Sequence, residues 1–141
     1  MHEIVFDDAQ RLVVVYHVGT GALWVARCQD AACDAVTTEP LNVGGLDVDL
    51  ELDSLGNPVI VSSSSSARTA VLTRCADPTC QESSSRTVAT NILTPSVQVD
   101  SNDLPVVVYW DIAAARAFLT RCGDPGSVSY THLTLPTICS V

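Results

Sequence analysis

Hydrophobic and acidic residues alternate in the middle of the chain, and this alternation predicts a β-strand with one exposed face. The apolar positions of residues 46–53 are Leu46, Val48, Leu50 and Leu52, and the acidic positions are Asp47, Asp49, Glu51 and Asp53. A period of two places one set on each face of a strand. Residues 96–100 predict a second strand of this kind, with Val97 and Val99 directed inward.

Other segments are apolar without interruption, which predicts strands that are covered on both faces. These segments are residues 12–16, 59–61 and 106–110. Further strands are predicted after them, at 23–28, 70–75 and 117–122, and two fourth strands at 35–43 and 86–93. Residues 4–6 are expected to end a strand that precedes the first apolar run. The pattern therefore predicts an all-β protein.

One segment disagrees with this pattern. Residues 112–120 contain three consecutive alanines and favour a helix by local propensity. The aligned positions elsewhere are rich in Ser, Thr and Val or carry Gly19 and Gly21. Because a repeated unit keeps its structure in every copy, we predict a turn and a strand here.

The repeat is the strongest feature of the sequence. RCQDAAC at 27–33 returns as RCADPTC at 74–80 and, in part, as RCGDP at 121–125, each 47 residues after the last. A stretch at 53–61 likewise aligns with 100–108. Repeats of 20–50 residues indicate solenoids, propellers or arrays, and four short strands per unit fit a propeller blade.

The repeated residues also carry a resemblance to a group of proteins. They are Gly56, Pro58, Val59, Leu72, Cys75, Asp77, Pro78 and Cys80, with Pro105, Val106, Tyr109, Leu119, Cys122, Asp124 and Pro125. In these positions the chain resembles uncharacterised bacterial secreted proteins built from tandem propeller-like units, G-x-P-V followed by L-x-x-C-x-D-P-x-C. Ser62 departs from the pattern, since the third unit has Tyr109 there. The resemblance implies a propeller-like domain and no known activity.

We therefore expect a partial β-propeller of about two and a half four-stranded antiparallel blades. Residues 1–126 would form one propeller fragment, with units at about 1–45, 46–94 and 95–126. The repeat demands a cysteine at position 127, where Ser127 stands. Residues 127–141 resemble a translated sequencing-adapter read-through, and we interpret them as a non-native or divergent tail. A signal peptide is not expected within this fragment.

Charge and hydropathy exclude some classes of partner. The net charge is −9, and all seven basic residues are arginines. Nucleic acids and anionic membranes require positive charge, so neither is an expected partner. The longest apolar stretch, 104–119, is interrupted by Asp111 and Arg116 and is shorter than the ~20 residues of a membrane span.

The chain has six cysteines, four of which form two closely spaced pairs. Cys28 with Cys33, and Cys75 with Cys80, are each interpreted as a structural disulfide that closes a tight turn. A Cys₄ zinc site is the alternative, although zinc ribbons use closer spacings. Disulfides favour an oxidising compartment, so we expect a secreted or cell-surface protein.

An Arg-Cys-x-Asp element marks each unit and supplies the repeat-turn residues. Asp77-Pro78 and Asp124-Pro125 fit the first two positions of a type I turn. Charge pairing is expected within the element, between Arg27 and Asp30, Arg74 and Asp77, and Arg121 and Asp124. A ligand site once per blade is the alternative interpretation.

Candidate chemistry is sparse. The row Asp47, Asp49, Glu51 and Asp53 is a weak candidate for a hard cation or for the wall of a central channel, against the simpler interpretation of a solvated face. The histidines are His2, His17 and His132, and none recurs in the repeat. His17 is expected in an exposed turn. We predict no catalytic residue, no cofactor and no metal site.

These observations favour a binding or scaffold module over an enzyme. Its ligand would be a protein or a glycan of unknown identity, and its neighbours would be the missing blades of the same propeller. The alternative is a fragment of a propeller-based hydrolase or lyase whose catalytic residues lie outside this chain.

Overall fold

The fold is all-β, as the sequence predicts. A computed structural model describes residues 2–64 and 66–121, together with the backbone of 133–134, and within this part there is no helix. The strands of the described residues are β1 His2–Phe6, β2 Leu12–Val18, β3 Ala22–Cys28, β4 Val36–Gly44, β5 Asp47–Leu52, β6 Pro58–Ser63, β7 Thr69–Cys75, β8 Ser83–Thr90, β9 Ile92–Val99, β10 Pro105–Asp111, β11 Arg116–Arg121 and β12 Leu133–Thr134.

The strands form three four-stranded antiparallel sheets, each built from consecutive strands. The first sheet is β1-β2-β3-β4, the second β5-β6-β7-β8, and the third β9-β10-β11-β12. Where the connecting residues are described, each connection inside a sheet therefore joins two neighbouring antiparallel strands. The boundaries between sheets fall at residues 45–46 and 91, close to the predicted unit boundaries.

Most predicted strands are found within one or two residues of their expected ends. The predictions for residues 86–93 and 96–100 were wrong in their bounds, because β8 runs from Ser83 to Thr90 and β9 already begins at Ile92. The alanine-rich segment forms a turn followed by β11 and not a helix. Pairing of β11 with β10 from Val106–Arg121 to Asp111–Arg116 outweighs the weak helical propensity of three alanines.

Two hydrophobic clusters hold the sheets together face to face. The cluster between the first and second sheets contains Val13, Val15, Leu23, Val25, Leu41, Val48, Leu50, Ile60, Cys75 and Cys80. The cluster between the second and third sheets contains Val59, Val61, Ala70, Leu72, Val88, Ala89, Ile92, Val97, Val107 and Tyr109. All of β6 is buried, because its alternate residues enter different clusters, and this explains its uninterrupted apolar sequence.

The first strands of consecutive sheets are neighbours. β5 lies against β1 on one side and against β9 on the other. The alternation in β5 is explained by this position, since Val48 and Leu50 are buried while the acidic residues between them remain half-buried.

The turn between the first two strands has the same conformation in all three units. Each turn begins at an aspartate whose carbonyl accepts a backbone hydrogen bond from the residue three positions later, at Gln10, Gly56 and Asp103. These three residues all have a left-handed backbone, with φ of 61°, 78° and 60°. Only one of them is glycine, so the unit imposes this conformation on residues that rarely adopt it.

Part of the C-terminal region lies outside the described residues. The backbone of Leu133–Thr134 pairs with Phe118 and Leu119 and so takes the fourth-strand position of the third sheet. The predictions for Cys122, Asp124, Pro125, Ser127, His132 and Cys139 concern residues outside the described part. The interpretation of 127–141 as a non-native or divergent tail therefore stays a prediction. In the described ranges, no helix is long and apolar enough to span a membrane.

Candidate functional site

The cysteine pairs close the hairpin turns between the third and fourth strands of two units. Cys28 with Cys33, and Cys75 with Cys80, lie at disulfide-bonding distance, with Cα atoms 4.8 Å apart in each pair. The second cysteine of each pair has a left-handed backbone. The pairs belong to separate sheets, so the structure gives two disulfides in place of a shared Cys₄ site. Such pairs are consistent with an oxidising extracellular environment.

Asp77 organises the second of these turns. The Cys80 N–H donates to the Asp77 carbonyl at 3.1 Å, which confirms a turn from 77 to 80. Burial raises the pKa of Asp77, but donation from the Glu82 N–H, the Thr79 hydroxyl and N–H, and the Gln81 N–H outweighs it, so the pKa lies below its ordinary value. The Asp77 carboxylate therefore accepts its hydrogen bonds from residues 79–82 of its own loop.

The expected pairing between Arg27 and Asp30, and between Arg74 and Asp77, was wrong. Arg27 instead binds Asp7, with Nη2 donating to Oδ2 at 2.5 Å, and Arg74 Nη2 lies 3.6 Å from Asp53 Oδ2. Arg121 pairs with Asp100 in the same way. The partner is thus the aspartate that opens the turn between the first and second strands of the same unit. Asp30 and Asp77 are committed to their own turns.

Two of these arginines also reach the next unit. Arg27 Nη1 donates to the carbonyl oxygens of Gly56, at 2.8 Å, and Pro78, at 3.0 Å. Arg74 Nη1 donates to the carbonyl oxygen of Asp103 at 3.0 Å. Gly56 and Asp103 are 47 residues apart and occupy the same turn position. We call this repeated arrangement of aspartate, arginine and next-unit carbonyl the arginine latch.

The aspartates of the latch accept hydrogen bonds from backbone N–H groups and from arginine side chains. Burial raises the pKa of Asp7. Hydrogen bonds from the Arg11 N–H and guanidinium and from Arg27 lower this pKa by more than burial raises it, so the net pKa lies below its ordinary value. The pKa of Asp100 is lowered chiefly by the Leu104 N–H, with the Asn102 N–H and Arg121 adding to this effect against some burial. Both carboxylates are therefore ionised at neutral pH.

The acidic row of β5 contacts the third unit. Asp49 Oδ2 accepts from the Ser96 hydroxyl at 2.5 Å and from the Val97 N–H at 2.8 Å. Glu51 Oε2 accepts from the Gln98 side-chain amide at 3.1 Å. Asp49 and Ser96 are 47 residues apart, as are Glu51 and Gln98, so repeat-equivalent positions touch each other. The row is therefore not simply a solvated face.

The other two members of the row remain within their own unit. Asp47 Oδ2 accepts from the Ser63 hydroxyl at 3.3 Å. Asp53 accepts from the N–H groups of Leu55 and Asn57, both at 2.9 Å. Across the described residues, no group of three or more His, Cys, Asp or Glu side chains is arranged to hold a metal ion.

A second contact joins the turns of the second and third units. Asp103 accepts from the Ser54 N–H at 2.8 Å and from its hydroxyl at 2.5 Å. The Ser54 hydroxyl is the main cause of the lowered pKa of Asp103. Both residues belong to the aligned stretches 53–61 and 100–108, but their mutual contact is visible only in three dimensions.

A cleft lies beside the latch between the second and third units. Its volume is about 610 Å³, and its lining includes Asp53, Arg74, Glu82, Asn102 and Asp103. The equivalent cleft between the first and second units, about 220 Å³, is lined in part by Pro78 and Thr79. Their third-unit counterparts at 125–126 lie outside the described residues, so the larger cleft is not assigned a ligand.

The remaining predicted residues have structural positions. His17 lies within β2, paired with Leu23, and is half-buried, so its assignment to an exposed turn was wrong. Ser62 is buried, and its hydroxyl donates to the Gly44 carbonyl at 3.3 Å. Sequence reasoning missed Asp7, Asp100, Ser54, Ser96 and Gln98 as contact residues. The 47-residue repeat could have identified them, because each of these residues lies in a first-strand or turn segment that aligns between units.

Comparison with known proteins adds no family. No family model matches the sequence, and no curated protein is significantly similar to it.

Proposed function

We propose that this chain is a run of propeller-type blades from an exported bacterial protein, acting as a binding or scaffold module for a protein or glycan. The observation that carries the proposal is the contact between repeat-equivalent residues on β5 and β9. In a propeller the first strands of successive blades line a common axis, so equivalent positions approach one another. Asp49 with Ser96 and Glu51 with Gln98 have this relationship.

The arginine latch supports the same proposal. Arg27 and Arg74 each tie their own turn to the next turn, with the same acceptor position. A contact that recurs with the repeat places each unit in a similar relation to its neighbour. Stacked repeats of this kind present extended, regular surfaces and loop rims, which commonly serve recognition. The two disulfide pairs fit an exported protein.

The blade arrangement is tested by an experimental structure of the oxidised chain. We expect one rigid-body rotation to superpose the first sheet on the second and, applied again, the second sheet on the third. The strands β1, β5 and β9 should then surround one axis. Two clearly different rotations for the two pairs of sheets would overturn the propeller arrangement while leaving the chain all-β.

The activity is tested by a glycan microarray and a protein pull-down, run beside a panel of hydrolase and lyase substrates. A bound ligand that is recovered unchanged is expected. Binding should be lost in the double variant Arg27→Met/Arg74→Met, which breaks both latches, and retained in the matched Arg11→Met control. Turnover of any panel substrate by the wild-type chain, absent in the double variant, would overturn the scaffold assignment in favour of an enzyme.

A further inference from the structure

The two end sheets each expose an apolar surface on the side that faces away from the second sheet. In the first sheet, Val13 and Val15 point into the inter-sheet cluster, so Leu12, Val14 and their partners on β1 point the other way. This outer face carries Ile4, 51% exposed, and Phe6, 60% exposed. We call it the leading face.

The third sheet has a corresponding surface. Val107 and Tyr109 of β10 point toward the second sheet, so Val106, Val108 and Trp110 point away from it. Trp110 is 44% exposed, and Leu93, its partner on β9, is 46% exposed. We call this surface the trailing face.

The repeat relates these faces to surfaces that are already packed inside the chain. Leu50 and Ile60 of the second sheet pack toward the first sheet, and Ile4 and Val14 occupy the equivalent positions 46 residues earlier. The leading face is thus the kind of surface that packs against a preceding unit.

The same holds at the other end of the chain. Val59 and Val61 pack toward the third sheet, and Val106 and Val108 stand 47 residues later. The trailing face is therefore the kind of surface that packs against a following unit. The leading and trailing faces thus correspond to the two sides of an interface between consecutive units. Within one chain they cannot meet, because the second sheet lies between them.

The latch gives a second, polar observation. Arg27 and Arg74 each donate from Nη1 to a carbonyl of the following unit. Arg121 belongs to the last unit of the described residues, so no following unit there offers its Nη1 this acceptor, and its buried Nε also has no hydrogen-bond partner among the described residues. The acceptor position is Gly56 or Asp103 in the later units and corresponds to Gln10 in the first unit. Gln10 shares their left-handed backbone. A following unit that begins like the first unit of this chain would present that carbonyl to Arg121.

We propose that the trailing face of one chain binds the leading face of a second copy, with Arg121 of the first directed to the Gln10 carbonyl of the other. The contact is heterologous, so two copies can close a ring through two such contacts or add further copies. This inference rests on the unit stacking in the proposed function, but not on its ligand. Because each copy carries a net charge of −9, the association should strengthen with added salt.

The test uses the full oxidised chain and measures mass by sedimentation equilibrium. Wild type is expected to associate in the micromolar range. Phe6→Asp disables the leading face and Trp110→Asp the trailing face, and each variant alone is expected to be monomeric. An equimolar mixture should recover a one-to-one heterodimer, since it retains one intact face of each kind. Leu55→Asp, at a residue 75% exposed in the β5–β6 turn, is the matched control and should associate like wild type.

Circular dichroism establishes that each variant is folded, and Ile4→Asp and Leu93→Asp replace the first pair if either is not. A monomeric wild type, or a mixture of folded variants that stays monomeric, would overturn the inference. A single variant that associates like wild type would also overturn the inference, because a head-to-tail contact between identical copies needs both faces intact. A monomeric wild type would still leave the blade arrangement open to its own structural test, so the two failures are distinguishable.

Discussion

Arg27 Nη1 donates a 2.8 Å hydrogen bond to the carbonyl oxygen of Gly56, across the boundary between the first and second units. The same guanidinium binds Asp7 of its own unit through Nη2. One buried side chain thus connects Asp7 and Gly56, which are 49 residues apart in the sequence. The planar guanidinium can serve these acceptors together because its donors point in fixed, divergent directions.

We expect Arg27→Met to lower the free energy of unfolding by about 3 kcal/mol, because it leaves a buried carboxylate and carbonyls with fewer donors. Arg27→Lys should recover little, since an ammonium group lacks the guanidinium geometry. Urea unfolding measures both values. The control is Arg11→Met, which removes the more exposed partner of the same aspartate and should cost less than about 1 kcal/mol. Equal losses for Arg11 and Arg27 would contradict a latch between units.

The two disulfides should differ in their contribution to stability. Each closes a loop with a sequence separation of 5, which corresponds to about 2 kcal/mol by chain entropy. Cys75 and Cys80 also belong to the inter-sheet cluster, whereas Cys33 is exposed. Replacing Cys75 and Cys80 together by Ser should therefore cost more than replacing Cys28 and Cys33, because hydroxyls enter an apolar site.

Peptide mapping under non-reducing conditions should recover both short-loop bridges. Thiol titration of the unfolded, unreduced chain should find two free thiols, at Cys122 and Cys139. Stoichiometric zinc retained by the reduced chain would instead favour the metal interpretation of the cysteines.

Gly45 should not tolerate a side chain. A Cβ at this position would lie 2.8 Å from the Ser62 Cβ and 3.2 Å from the backbone N and O of Ser63. Gly45→Ala is expected to destabilise the fold by about 1–3 kcal/mol through overpacking. Thermal unfolding of Gly45→Ala, Ser62→Gly and the double variant tests the contact. The double variant should be more stable than the sum of the single losses predicts, and strict additivity would show that the clash is elsewhere.

Stability should fall in acid through the latch aspartates. The pKa of Asp7 lies below its ordinary value of 3.8, so its ionised form stabilises the folded state at pH values above 3.8. This contribution begins to decline below about pH 5 and is lost as the pH falls through the folded-state pKa. Asp7→Asn should therefore unfold at a lower temperature than wild type at pH 7, with the difference shrinking below pH 4.

The control for this pH dependence is Asp8→Asn, at the exposed neighbouring residue. Its melting temperature should follow the wild-type pH profile. A constant difference between Asp7→Asn and wild type from pH 7 to pH 2 would show that the charge of Asp7 does not contribute.

The candidate site was only partly accessible from the sequence. The cysteine pairs could be predicted because a disulfide between residues five apart is a local contact. The arginine pairing could not, because Asp30 and Asp77 are close in sequence but accept hydrogen bonds from their own loops. The carboxylates that pair with Arg27 and Arg74 are those of Asp7 and Asp53, which strand pairing brings beside these arginines.

The sequence by itself determined the all-β class, the strand order within each unit and the turns. These follow from local chemistry: a period of two, uninterrupted apolar runs, and the 47-residue recurrence of Asp, Gly and Pro at turns. Only the tertiary structure decided which unit contacts which and through what atoms. Asp49 meets Ser96, and Arg27 meets Gly56, because the sheets pack face to face across two hydrophobic clusters. Hydrophobic packing is non-directional, so a sequence pattern identifies the faces that will be buried but not the polar partners that the packing brings together.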